Sequence, residues 1–187
     1  MSTVEDHLAV IMVAEMGDVV SGERVCPPET LMREWDLSES DRRALVEWGL
    51  PLDSQERPDI QEESGPVLVP NVAGERELRL VSPDQRLYRL INMSVGPVKE
   101  WIGAVAGEGR VLMIRPAPVT VNDLAPQLRP YHPGYYSPAV DFVNSSVAQF
   151  VEITWRWHAA REVLLALPAP DYGSEAKTRE AFDALHT

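Results

Sequence analysis

Four histidines, one cysteine and three clustered glycines are the first places to look for chemistry in this chain. His7, His132, His158 and His186 are scattered, and none makes the pair one helical turn apart, flanking a glutamate, that holds a catalytic zinc. Cys26 has no second cysteine with which to build a metal site or an internal disulfide. Gly103, Gly107 and Gly109 match neither nucleotide-binding fingerprint and are not followed directly by a capped helix, so they read as a hairpin turn. Ser145 and Ser146 lack the flanking glycines of a nucleophile elbow, and helix capping accounts for both. His158 follows Trp155 and Trp157 on a helical stretch, where it reads as a packed or partly exposed imidazole rather than a general base. These residues predict no catalytic centre, no metal and no cofactor.

Two other groups suit recognition better than catalysis. Glu56, Asp59, Glu62 and Glu63 are either an acidic hot spot or a hydrated linker, since rim charges steer partners without always adding affinity. Tyr131, Tyr135 and Tyr136 either pack their segment onto the fold or present the aromatic anchors that dominate interfaces. The net charge of -12 argues against nucleic acid, whose binding is driven by Lys and Arg, and makes a basic protein the easier partner. The charge is uneven: Glu29 to Glu63 holds 11 acidic and 4 basic residues, net -7, whereas Arg76 to Arg115 holds 7 basic and 4 acidic, net +3. A solvated acidic face that keeps the protein soluble explains the same asymmetry.

The elements that must position these residues follow from spacing. With 187 residues, 44% hydrophobic and 25% charged, the chain is sized and composed for one globular domain spanning 1–187 that needs no disulfide. The single cysteine and the lack of a secretory pattern favour the cytoplasm. The most apolar runs, Leu8 to Val13 and Val163 to Leu167, fall short of the ~20 residues a membrane span needs. Thr3 with Asp6 predicts a first helix carrying Val4, Leu8, Ile11, Met12 and Met16 as far as Gly17. Val19, Val20 and Val25 suggest a short extended piece, and Pro27 and Pro28 suit the start of a helical turn over Thr30 to Trp35. Ser38 with Asp41 caps a helix that ends at Gly49 and Pro51. Asp53 to Gly65 reads as an exposed connector.

A meander follows in this reading. Pro66 to Val69 is extended, Glu77 to Val81 alternates as a half-buried strand, Ser82 to Gln85 turns, and Arg86 to Ile91 returns as its partner. Val98 to Ala106 and Arg110 to Arg115 flank the Gly107 to Gly109 turn, although the first of them could be helical. Residues 116–138 hold six of the 16 prolines and form a long loop. Asn144, Ser145 and Ser146 then offer caps for a strong helix on which Val147, Phe150, Val151, Thr154, Trp157 and Val163 can face inward, ending near Pro168, and Ser174 caps a last helix through Leu185. The fold class expected is α+β, an antiparallel sheet flanked by helices.

The order of these signals resembles the SUKH superfamily of bacterial immunity proteins, in particular its fourth subfamily. The phrase Phe142, Val143, Asn144, Ser145, Ser146, then Val147, Gln149 and Phe150 carries most of the resemblance. The short helix of Ser38 to Leu52, running into Trp48, Gly49, Leu50 and Pro51, and the two strands of Leu78 to Leu90 around a Pro-Asp turn add to it. The likeness covers roughly Thr30 to Arg161. Two departures stand out: the Pro- and Tyr-rich insertion at 116–138, and an ending after Pro168 unlike the one the family leads one to expect. The resemblance implies a SUKH-like fold, no catalytic residues, and neutralisation of a polymorphic protein toxin, a nuclease or deaminase domain, by tight binding. A non-catalytic regulatory or scaffold adaptor is the alternative, because SUKH-like domains also organise signalling. Either way the expected partner is a protein, without nucleic acid or membrane.

Overall fold

The capping pattern at Thr3 is formed in the computed structural model, which describes residues 3–52, 56–60, 65–70, 72, 74–93 and 100–167. The Thr3 hydroxyl accepts from the Asp6 N–H, the Asp6 carboxylate accepts from the Thr3 N–H, and helix α1 (Val4–Val13) follows. It ends before Gly17, and a short helix α2 (Met16–Val19) takes in Val19, which the sequence reads as extended. Strand β1 (Arg24–Val25) then leads to α3 (Glu29–Glu34), which opens after Pro28, and to α4 (Glu39–Glu47), where the Ser38 hydroxyl accepts from the Asp41 N–H. Gly49 turns the chain at φ +62° into β2 (Leu50–Pro51), which pairs with β1; a Cβ there would stand 2.5 Å from the Val25 carbonyl.

The sheet is antiparallel throughout. Its strands are β3 (Glu56–Pro58), β4 (Val67–Leu68), β5 (Arg86–Met93), β6 (Glu100–Val105), β7 (Val111–Ile114) and β10 (Val140–Asn144). They run in the order β10-β7-β6-β5-β3, with β4 also on β5. Between β4 and β5 lies helix α5 (Glu75–Leu80), and between β7 and β10 a two-stranded ribbon of β8 (Val119–Thr120) and β9 (Tyr136–Ser137). The last described helix, α6 (Val147–Leu165), starts at Ser146, whose hydroxyl accepts from the Gln149 N–H. A mixed α+β fold with an antiparallel meander is the architecture expected.

One sheet face and the helices enclose the larger core, in which Leu31, Met32, Trp35, Leu45, Tyr88, Leu90, Val151 and Trp155 are buried together. Trp35 and Tyr88 stack with centroids 4.3 Å apart, and the Tyr88 hydroxyl accepts from the Asp36 N–H at 2.8 Å. The opposite face buries Val69, Val81, Leu87, Val105, Leu112, Ile114 and Val140. A pair of packed faces of this kind lets a charged group survive inside only where it is hydrogen-bonded.

Three readings need correction. Glu77 to Val81 is not the partner of β5: Glu77 to Leu80 belong to α5, where Glu75 and Arg79 pair across one turn and Leu78 is exposed. Six residues are too few for alternation to separate a strand from a helix, and the i,i+4 charge pair was the better guide. The connector read over Asp53 to Gly65 contains β3, because its main chain bonds to β5, which no side-chain pattern announces. Trp157 is 56% exposed, and the buried row of α6 runs instead through Val147, Val151 and Trp155 at successive i+4 steps. The helix read over 174–185 lies outside the described residues.

Candidate functional site

The excursion between β7 and β10 is the most developed exposed feature. It leaves and rejoins adjacent strands, so its base is fixed by the β7–β10 ladder, Val140 facing Ile114 and Phe142 facing Leu112. Inside it, β8 pairs with β9, and Thr120 and Asp123 close a capping box in which the Thr120 N–H and hydroxyl each donate to the Asp123 carboxylate at 2.8 Å. Arg129 ties the far end back by donating to the Leu124 and Asn122 carbonyls at 3.0 and 2.8 Å. The prolines that exclude regular helix therefore sit in a segment braced by local bonds.

A buried carboxylate holds the excursion to the sheet. Glu77 on α5 accepts from the Tyr136 hydroxyl and from the Ala139 N–H, both at 2.9 Å, and the Arg76 guanidinium lies 5.5 Å from the Tyr136 ring centroid. Burial works against charge on Glu77, but the Ala139 N–H, its own N–H, the Tyr136 hydroxyl and nearby Arg76 outweigh it and hold the carboxyl below its ordinary value. A carboxyl lowered in the folded state stabilises the fold above the unfolded value of about 4.3 and loses that contribution as pH falls through the lowered value. The urea midpoint of the native chain is thus expected to drop between about pH 6 and pH 3 more steeply than that of Glu77→Gln. Equal pH dependence of the two would exclude Glu77 as the linked group.

The three tyrosines separate. Tyr136 is spent on this brace. Tyr131 is 79% exposed, and Tyr135, also exposed, meets His132 edge-on with centroids 6.4 Å apart; Leu128 adds an exposed apolar side chain on the same segment. The acidic residues separate too. Asp59 is buried, accepts from the Asn92 side-chain amide at 2.8 Å and lies 3.8 Å from Arg89, so it belongs to the sheet's own bonding. Glu56 sits in β3 with its backbone opposite Met93, and Glu62 and Glu63 lie outside the described residues. Since β3 and β10 are at opposite edges of the sheet, the structure does not bring Glu56 and Asp59 beside the tyrosine excursion.

Two buried carboxylates escaped sequence reading. Glu77 was hidden by the strand reading. Asp41 was legible only as part of the Ser38 cap, yet it reaches across to α6: its carboxylate accepts from the Ser38 hydroxyl at 2.7 Å and from the Ala148 N–H at 2.8 Å. The hairpin turn makes room for it, because a Cβ on Gly109, at φ +73°, would stand 2.4 Å from its Oδ2. Of the other residues considered for chemistry, His158 packs edge-on against Trp155 at 5.6 Å and Cys26 is exposed. A groove of about 550 Å³ between α3 and α4 carries Glu29, Glu39 and Glu47 against Arg33, Arg42 and Arg43, an even charge balance. Among the described residues no group of His, Cys, Asp and Glu could hold a metal ion, and no helix is long and apolar enough to cross a membrane.

Helices packed on an antiparallel meander, with a braced excursion built out of one edge that exposes Tyr131 and Tyr135, define a mixed α+β protein. Comparison with known proteins narrows this class. The family model described as SUKH-4 immunity protein matches residues 13–186, and the chain belongs to that family. No curated protein and no solved structure matches the chain.

Proposed function

We propose that the chain is a cytoplasmic immunity protein that neutralises a basic toxin domain, a nuclease or deaminase of a polymorphic toxin system, by binding it and without catalysing a reaction. Membership of an immunity family supplies the role, and the exposed Tyr131 and Tyr135 on a braced segment are the observation that supports this contact surface. A rigid aromatic anchor loses little conformational freedom on binding, which is why preorganised tyrosines contribute strongly at interfaces. Glu56, Glu62 and Glu63, within a stretch of net charge -7, act at longer range by steering the partner. Asp59 keeps its place in the sheet, and Tyr136 carries the anchors rather than serving as one.

The test is capture of toxin C-terminal domains encoded beside this gene, followed by kinetics on the cognate one. Tyr131→Ala with Tyr135→Ala is expected to speed dissociation about 30-fold with association little changed, as loss of a hot spot does. Neutralising Glu56, Glu62 and Glu63 to glutamine is expected to slow association at low salt and flatten its salt dependence. Unchanged dissociation of the tyrosine variant would move the anchor elsewhere, and unchanged association of the glutamine variant would leave the acidic stretch a solubilising linker.

A further inference from the structure

Gly103 does not belong to the turn at Gly107 and Gly109 with which the sequence groups it. It lies in β6 opposite Arg89, and a Cβ there would stand 2.6 Å from Cζ3 of Trp101, so its absence lets the indole lie against the strand. The ring also packs on the cluster of Leu87, Val105 and Ile114, which fixes it. The Arg89 guanidinium sits over this ring, 5.1 Å from its centroid.

The guanidinium is placed but not satisfied. The Arg89 side chain is 42% exposed, and among the described residues it makes no hydrogen bond: Asp59 Oδ2 stops at 3.8 Å, held instead by the Asn92 amide at 2.8 Å. A fork of N–H donors is therefore held in position without an acceptor from the fold itself.

Arg89, Asn92 and Trp101 line a pocket of about 270 Å³ whose other walls include Pro70 and Pro116. That is below the range of about 300–1,000 Å³ for a small-molecule site, and it suits one side chain or peptide unit of a larger partner. Charge around it is already balanced. Arg89 faces Asp59, and Arg115 donates to Glu100 at 2.8 Å and to Asp141 at 3.2 Å. An added carboxylate would meet these acids, so the group that fits is an uncharged acceptor. The pocket also stands at the root of the tyrosine excursion, since Pro116 begins that segment and Arg115 donates to the Pro138 carbonyl near its end at 2.8 Å.

We propose that this pocket is a second contact for the toxin, in which Arg89 donates to an amide carbonyl, of the main chain or of an Asn or Gln side chain, while Trp101, Pro70 and Pro116 take the apolar part of that residue. The assignment rests on the immunity reading.

The experiment uses the full chain and the toxin domain that it captures. No capture by the native chain would overturn the immunity reading and this one together, whereas capture with the following results unmet would overturn this one alone. Arg89→Met keeps a stem to lie on Trp101 but no donor, and is expected to speed dissociation at least about 10-fold, the loss of one hydrogen bond to a charged group. The factor should be the same at low and high salt, because an uncharged acceptor leaves no ion pair to screen. Arg89→Lys should recover little of it, since the charge is kept and the planar fork is lost. Unchanged dissociation of Arg89→Met would overturn the proposal. A factor that vanishes at high salt, or native dissociation of Arg89→Lys, would assign the pocket to a carboxylate and overturn it as well. Phenylglyoxal modification of the unaltered chain gives a reading that no folding defect can imitate: Arg89 is expected to react in the free protein and to be protected in the complex, and equal reactivity in both would overturn the proposal.

Discussion

Replacing Trp155 by alanine is expected to lower the unfolding free energy by about 3–5 kcal/mol, the range for deleting a large aromatic side chain from a packed core. Trp155 is 0% exposed and lies where α6, β2 and the sheet meet. The loss has two parts. The ring leaves a cavity that stiff neighbours, among them Leu45, Leu50 and Val151, can close only in part. Its Nε1–H also satisfies the Gly49 carbonyl at 3.0 Å, and that acceptor belongs to a turn held at positive φ. Trp155→Phe should recover most of the packing without the hydrogen bond, which divides the two contributions. Trp157→Ala should cost less than half as much, because its ring is only partly in contact with the described fold. Urea denaturation of the three variants measures this directly, and a loss below about 1 kcal/mol for Trp155→Ala would show that the site is not a core position.

The second large effect is expected at Asp41. Removing its carboxylate with alanine should cost about 2–4 kcal/mol, because one buried group serves two helices. Asp41 is 1% exposed and accepts from Ser38 beside its own helix and from the Ala148 N–H at the start of α6, where a negative charge also faces the positive end of the helix dipole. Asp41→Ala takes from the half-buried Ala148 N–H its side-chain acceptor, while the exposed Ser38 hydroxyl keeps Ser40 Oγ within 2.9 Å; Asp41→Asn retains an acceptor and should cost less. Gly109→Ala attacks the same junction from the hairpin side, through both positive φ and the 2.4 Å approach to Asp41. If Asp41→Ala with Gly109→Ala costs the sum of the separate losses, the two do not share a junction. Equilibrium denaturation of the single and double variants decides it.

How much of this was readable in advance varied with the length scale of the signal. The caps at Thr3 and Ser38 involve residues three apart, and each formed as spacing implied, while of the three candidates Asn144, Ser145 and Ser146 it is Ser146 that caps α6. The turn at Gly107 and Gly109 was equally local, and both residues take positive φ. Strand β3 was not legible because its pairing depends on the main chain of β5, far along the sequence. The choice between Trp155 and Trp157 failed for a related reason: both are aromatic on one helix, and only the placement of β2 and α1 decides which side is inside. The tyrosine segment was recognised as irregular from its prolines. That Tyr136 braces it while Tyr131 stands out required knowing that α5 brings Glu77 alongside.

The way the aromatic excursion is rooted has a consequence for divergence. It begins after β7 and ends before β10, two strands already joined to each other, so its ends are held at a fixed separation whatever lies between them. Lengthening such a closed segment is cheap, about 0.6 kcal/mol for each doubling, and does not shift the register of the strands beneath it. Changes within the segment are therefore separable from the folding of the sheet beneath it. On the proposed reading, the segment can be rewritten for a new partner while the carboxylates of Glu77 and Asp41 continue to hold the scaffold.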